Sequence, residues 1–294
     1  MAKRISVRAP ARIDLAGGWT DVPNYCNTKS GEVVNIAINQ YTNCIMEIDD
    51  ERKITLSYST DMPTGSGLGT SGCMNVSLIG TILGPDYDSE EIAELAYQFE
   101  ALLGNKGGRQ DQWASAIGGI SHLTFNQENV EHQSLNPSNE FISWLEDRLL
   151  LFNSKITHVS GDLHKGVWDR FHKGDKEIIS ALDKIREAGL SMAKAIRDES
   201  KIGVVNSLKL VMNGVDTLGL ELHDPFRDNL EPHFSTGDVS AWKAMGAGGG
   251  GVVGVLISDT CVRDNIIQDL QSKGWMHIDW KMDKIGFHRN ETIL

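Results

Sequence analysis

Residues 246–251, Gly-Ala-Gly-Gly-Gly-Gly, run straight into the apolar segment 252–257. Glycine gives up more backbone freedom on folding than any other residue. Four in a row therefore mark a backbone that must approach another loop, or a ligand, very closely. A second cluster, 63–72 (Pro-Thr-Gly-Ser-Gly-Leu-Gly-Thr-Ser-Gly), lies between a strand-like segment and an apolar helical one. A glycine-rich turn opening a helix is an anion cradle, because its N–H groups and the helix dipole favour phosphate. Thr70 and Ser71 add hydroxyls for phosphate oxygens or a bound Mg²⁺. Gly67, Gly69 and Gly72 fit the string GxGxxG, but no second strand ending in an acid follows, so the dinucleotide-binding context fails. There is no GxxxxGK[ST] and hence no ordinary P-loop.

Charge narrows the partners. The 294 residues carry 28 Lys+Arg and 40 Asp+Glu, a formal net charge of −12. An acidic chain is a poor nucleic-acid binder, yet it can hold phosphate locally through backbone N–H groups. Residues 1–13 carry four basic side chains and no apolar core, so no signal peptide is expected there. No segment is long and apolar enough for a bilayer. Four dispersed cysteines without CxxC point to a reduced, cytoplasmic protein with no zinc knuckle.

Patterning divides the chain. Residues 4–9, 33–38, 42–48 and 53–58 read as strands, with a hairpin turn at 49–51. Helices are expected over 73–83 and over 90–103 with Ser89 as N-cap, and a short helical run is expected after the segment 107–112, up to Ile117. Strands follow at 120–125 and 149–152, then helices over 158–172, 175–198 and 203–220. A strand at 252–257, a helix near 263–272 and a strand near 275–282 close the chain. This is an α+β pattern in two joined lobes, 1–147 and 148–294.

Three ordered motifs carry a resemblance. They are Pro10-Ala11-Arg12-Ile13-Asp14-Leu15-Ala16-Gly17-Gly18-Trp19-Thr20-Asp21, the 63–71 loop, and 245–251. Together they resemble the GHMP small-molecule kinases. The pattern is most similar to sugar kinases acting on fucose and heptose phosphate: Gly17-Gly18-Trp19-Thr20-Asp21 looks like the fucokinase form, and Gly108-x-Gln110-Asp111-Gln112 resembles both. The resemblance implies a ribosomal-S5-like N-terminal lobe and a ferredoxin-like C-terminal lobe with the active site between them.

It also implies roles. Asp111 would be the catalytic base, against the plainer reading of a helix N-terminal acid. Arg12 would lie beside it and stabilise developing charge. Gly65, Ser66, Gly67, Leu68, Gly69, Thr70 and Ser71 would cradle the ATP phosphates, with Ser71 and Glu100 holding Mg²⁺. Glu100 is alternatively an exposed helix acid. Asp21 would accept sugar hydroxyls, with Gly248 and Gly249 also near substrate. Trp19 either packs on the sugar ring or fills a lobe interface, and Asp14 would orient Arg12. The nine histidines, His158 and His164 among them, read as non-catalytic.

The implied activity is ATP- and Mg²⁺-dependent phosphorylation of a sugar, at an anomeric hydroxyl if it follows fucokinase. The alternatives are a heptose-phosphate kinase and a non-catalytic sugar or nucleotide sensor. Relatives of this type carry a longer stretch before the phosphate loop, which helps wall the nucleotide base. Here 53–58 runs almost directly into Asp61-Met62-Pro63. Oligomeric state is open.

Overall fold

The computed structural model describes residues 2–63, 65–105, 107–156 and 160–294. Thr64 of the phosphate loop, His158 and the first residues of the 158–172 helix lie outside the described residues. The elements run in order β1 (Lys3–Ala16), α1 (Pro23–Cys26), β2 (Gly31–Ile48), β3 (Ile54–Thr60), α2 (Thr70–Ile82), α3 (Ser89–Leu102), α4 (Gln110–Ile117), β4 (Ile120–Asn126), β5 (Asn129–Leu135), α5 (Asn139–Arg148), β6 (Leu149–Asn153), α6 (Ser160–His172), α7 (Lys176–Arg197), α8 (Lys201–Leu218), α9 (Asp224–Thr236), β7 (Val239–Ala244), β8 (Val252–Ile257), α10 (Arg263–Ser272), β9 (Met276–Ile278) and β10 (His288–Ile293).

Two antiparallel sheets result. The first has the order β10-β1-β2-β4-β5, with β3 on the far half of β2. The second has the order β7-β8-β6-β9. Its chain order of strand, helices, hairpin, helix, strand is the ferredoxin-like arrangement. β10 returns from the second half of the chain to pair with β1, Lys3 opposite Ile293. This strand was not expected, and the expected strand near 275–282 shortens to β9.

β1 runs on past the expected residue 9 because everything from Ala9 to Ala16 is buried. α2 and α4 pack on this strand, and so does α7. A strand covered on both faces loses the alternation that marks a half-buried one. One apolar core therefore runs without a break from Ile13 and Ile36, through Ile185 and Leu208 of α7 and α8, to Ala241 and Leu256 of the second sheet.

The N-cap of α3 is Asp88 rather than Ser89. Asp88 accepts from the Glu91 N–H at 2.9 Å, and Glu91 accepts from the Asp88 N–H at 3.0 Å. This reciprocal box satisfies two helix-end donors at once, which a Ser89 cap would not. Five other elements were not expected: α1, β5, α5, α9 and β7. Among the described residues no helix is long and apolar enough to cross a membrane. All four cysteines are free, and only Cys261 is exposed.

Candidate active site

A cleft of about 780 Å³ opens where β1, the loop before α2 and the start of α4 meet the glycine turn after β7. Arg12 reaches it from β1. Its N–H bonds the Leu68 carbonyl at 3.1 Å, tying the strand to the loop. Nε and Nη2 both hold Asp111 Oδ1, at 2.8 and 2.7 Å, and Nη1 donates to the Gly67 carbonyl at 2.7 Å. Arg12 is therefore a buried clamp rather than a surface residue. Burial alone would lower its pKa, but Asp111 and Asp14 outweigh that and raise it.

Asp111 sits in the first turn of α4 and lines the cleft, its side chain 28% exposed. Burial raises its pKa above the ordinary carboxylate value, and the Arg12 charge and hydrogen bond offset this only in part. Oδ1 is occupied by Arg12, and the carboxylate otherwise faces the cleft. Asp21 also lines the cleft, is buried beside the start of α4 and accepts the Gln110 N–H at 3.1 Å. Its pKa is pushed up to about 7 by burial, with Asp111 and Asp14 adding repulsion. Gly108 must be glycine here, since a Cβ would lie 1.8 Å from Asp21 Oδ2.

Trp19 follows Gly17-Gly18 at φ 82, a conformation uncommon for a bulky residue. Its ring stands 4.8 Å from the His164 ring and 5.8 Å from Trp168. All three line the cleft beside Asp21. Trp19 packs on α6 and also walls the cavity. Among the wall residues, Trp19 Nε1, Gln110 Oε1 and Asp14 Oδ1 are buried without a hydrogen-bond partner among the described residues. Orphaned polar atoms around a cavity are what a polar ligand would satisfy.

The phosphate loop is backbone-built. Gly65, Ser66, Gly67, Gly69, Thr70 and Ser71 line the cleft. Leu68 does not: its side chain is fully buried in the core, and only its carbonyl serves the site. No side chain caps α2 and no acid of its own stands in its first turn, while Asp111 of α4 packs against its start at Gly69 and Gly72. Glu100 is buried, not an exposed helix acid, and sits behind the cleft. It accepts from the Ser71 hydroxyl at 2.8 Å and from the amides of Asn75, Asn105 and Gln112 at 3.0, 2.5 and 2.6 Å.

The second glycine cluster packs against the first. A Cβ at Gly67 would lie 2.3 Å from the Met245 carbonyl. The Val252 N–H donates to the Ser66 carbonyl at 2.8 Å. Gly246 and Ala247 line the cleft. Gly248 and Gly249 do not; they turn onto Leu222, whose carbonyl accepts the Gly249 N–H at 2.8 Å.

The expected partner of Asp14 is also corrected. Its Oδ2 pairs with Lys243 Nζ of β7 at 2.8 Å, both side chains being almost wholly buried. Lys243 was missed. The one signal was a lone Lys inside the apolar stretch Trp242-Lys243-Ala244-Met245 before the glycines. Burial lowers its pKa, and Asp14 opposes that.

Residues 33–119 match the family described as GHMP kinases N terminal domain. That region is therefore a GHMP kinase N-terminal domain. The chain is 29% identical to the D-glycero-alpha-D-manno-heptose 7-phosphate kinase of Campylobacter jejuni over 66% of this chain and 72% of that one. It is 27% identical to the bifunctional fucokinase/GDP-fucose pyrophosphorylase of Arabidopsis thaliana over 87% of this chain, which spans only 30% of that longer protein. The crystal structure of a D-glycero-D-manno-heptose 1-phosphate kinase from Bacteroides thetaiotaomicron superposes with a TM-score of 0.79 at 19% identity, covering 99% of both chains. GHMP kinases use ATP, so the Arg12–Asp111 cleft belongs to a phosphotransferase fold.

Proposed function

We propose that this protein is a cytoplasmic sugar kinase, its lobes parted near residue 147, that transfers the ATP γ-phosphoryl group to a sugar hydroxyl, the anomeric one in the fucokinase-like case. The observation that carries this is the Arg12–Asp111 pair, with Asp111 at 28% exposure, placed between the phosphate loop and Asp21. Asp21 accepts sugar hydroxyls, as a carboxylate accepts vicinal donors. Trp19 and Trp168 cover the apolar ring face, and Gln110 offers a further acceptor. Asp111 takes the proton of the attacking hydroxyl as that oxygen bonds to the γ-phosphorus. The bond from that phosphorus to the bridging oxygen breaks, and ADP leaves. Arg12 fixes the Asp111 carboxylate and favours its ionised form. The N–H groups of the loop and α2 position the phosphates.

Ser71, which lines the cleft, would hold Mg²⁺ beside phosphate oxygens, and Glu100 would join it by giving up one of the four hydrogen bonds its oxygens accept. Asn75, Asn105 and Gln112 fix that carboxylate in place. The metal supplies charge neutralisation on the transferring phosphate.

A heptose phosphate acceptor is the second reading, favoured by the names of the Campylobacter relative and the Bacteroides structure. The test is turnover with ATP/Mg²⁺ on fucose, mannose, galactose and heptose phosphates, beside Asp111→Asn. One sugar turning over with Asp111→Asn inactive supports the kinase. ATP binding with no turnover on any sugar leaves a sensor instead.

A further inference from the structure

β3 pairs only with β2, and its outer edge is unpaired among the described residues. All seven residues, Ile-Thr-Leu-Ser-Tyr-Ser-Thr, are exposed. The apolar face stands open, with Ile54 at 58%, Leu56 at 45% and Tyr58 at 41%. On the neighbouring strand the same face is closed, for Cys44 opposite Tyr58 and Met46 opposite Leu56 are buried. The strand carries no charge, proline or bulge, the devices that keep sheet edges from pairing.

The hydrogen-bond phase of this edge is fixed. Asp49 N–H donates to the Lys53 carbonyl at 3.1 Å and Asp61 N–H to the Tyr41 carbonyl at 2.9 Å. Antiparallel ladders alternate, so the odd-numbered residues of β3 bond toward β2. The N–H and C=O groups of Ile54, Leu56, Tyr58 and Thr60 therefore point outward.

From this phase and charge pattern we infer that β3 joins β3 of a second copy of this chain, antiparallel about a two-fold axis at Ser57. In that register Ile54 faces the other copy's Thr60, and Leu56 faces its Tyr58. Every outward group on both strands is paired, about eight hydrogen bonds in all. Leu56 and Tyr58 form apolar cross-strand pairs on the open face. One step beyond the strand, Lys53 falls opposite Asp61 of the other copy, twice by symmetry. This is a charge match at both ends. Asp61 Oδ2 holds the Tyr41 N–H at 2.9 Å, which keeps its carboxylate at the strand end. A chain of net charge −12 repels its copy, so a self-contact needs an uncharged strip ended by opposite charges. β3 is such a strip. The interface is isologous and closes as a dimer.

The register gives a sharp test. In a Cys261→Ser background, which removes the exposed thiol, Ser57→Cys places two thiols on the axis. As a non-hydrogen-bonded pair their Cα atoms lie about 4.5 Å apart, within disulfide reach. Mild oxidation should give a covalent dimer, while Thr55→Cys, offset from its own copy, should not. Sedimentation should show a wild-type dimer whose dissociation constant rises about tenfold in Lys53→Glu, where like charges meet twice. Leu56→Lys should sediment as a monomer with its melting temperature kept. A wild-type monomer, equal cross-linking at 55 and 57, or a dimer untouched by Lys53→Glu and Leu56→Lys would overturn the inference.

Discussion

Replacing Lys243 by Met tests the contact that joins the two sheets behind the cleft. Lys243 and Asp14 have 3% and 2% of their side chains exposed. Asp14 Oδ1 already lacks a partner. Deleting the ammonium leaves the whole carboxylate unpaired in the interior. Breaking a buried pair from one side costs about 3–5 kcal/mol. The Arg12 charge lies close enough to feel Asp14, which argues for the lower end. Unfolding entropy scales as about 2.1 cal/mol/K per residue, so a chain of this length loses about 5–8 °C of melting temperature. Calorimetry on Lys243→Met, Asp14→Asn and the double variant measures it. The double variant has no orphaned charge and should recover about 2 kcal/mol or more relative to the sum of the single losses. A Lys243→Met protein melting within about 1 °C of wild type, or strict additivity in the cycle, would refute the reasoning.

Asp111→Asn should lower kcat by about 10²–10⁴-fold while leaving ATP affinity near wild type, read by steady-state kinetics beside calorimetric titration. Asp21 has a folded pKa of about 7, above the ordinary carboxylate value because of burial. Its stabilising contribution is complete below the unfolded pKa and lost as pH rises toward 7. Asp21→Asn should therefore raise the melting temperature at pH 8 and not at pH 4, and wild-type kcat/KM for sugar should fall below pH 7 as the acceptor protonates. Gly67→Ala forces a Cβ to 2.3 Å from the Met245 carbonyl at φ 76. It should cost about 1–3 kcal/mol and raise the KM for ATP, measured by melting and by initial rates.

The parts of the site legible in the sequence are those whose chemistry is local. A glycine turn before a helix declares an anion cradle by itself, and Arg12, Asp21 and Asp111 belong to contiguous motifs. What stayed hidden is set by distance in the chain. Asp14 meets Lys243 across 229 positions, and nothing near either residue signals the other. Leu68, Gly248 and Gly249 lie inside motifs whose neighbours face the cleft, but a motif does not say which way each residue turns. The capping box at Asp88 was readable from Asp88-x-x-Glu91, and Ser89 masked it. β1 beyond residue 9 lost its strand signature because both its faces are covered. β10, with five of its six residues polar or charged, carries no apolar pattern at all.

The return of β10 to β1 sets the order in which the chain can finish folding. β1 is made first and β10 last, so on the ribosome one edge of β1 waits for nearly the whole chain. The phosphate loop waits almost as long, since Ser66 is held by the Val252 N–H. Long-range pairings of this kind are slow to close and leave strand edges open meanwhile. Emerging chains of this protein should therefore depend on chaperone capture until the final strand clears the exit tunnel, and a shorter nascent chain ending before residue 288 should stay protease-sensitive in β1.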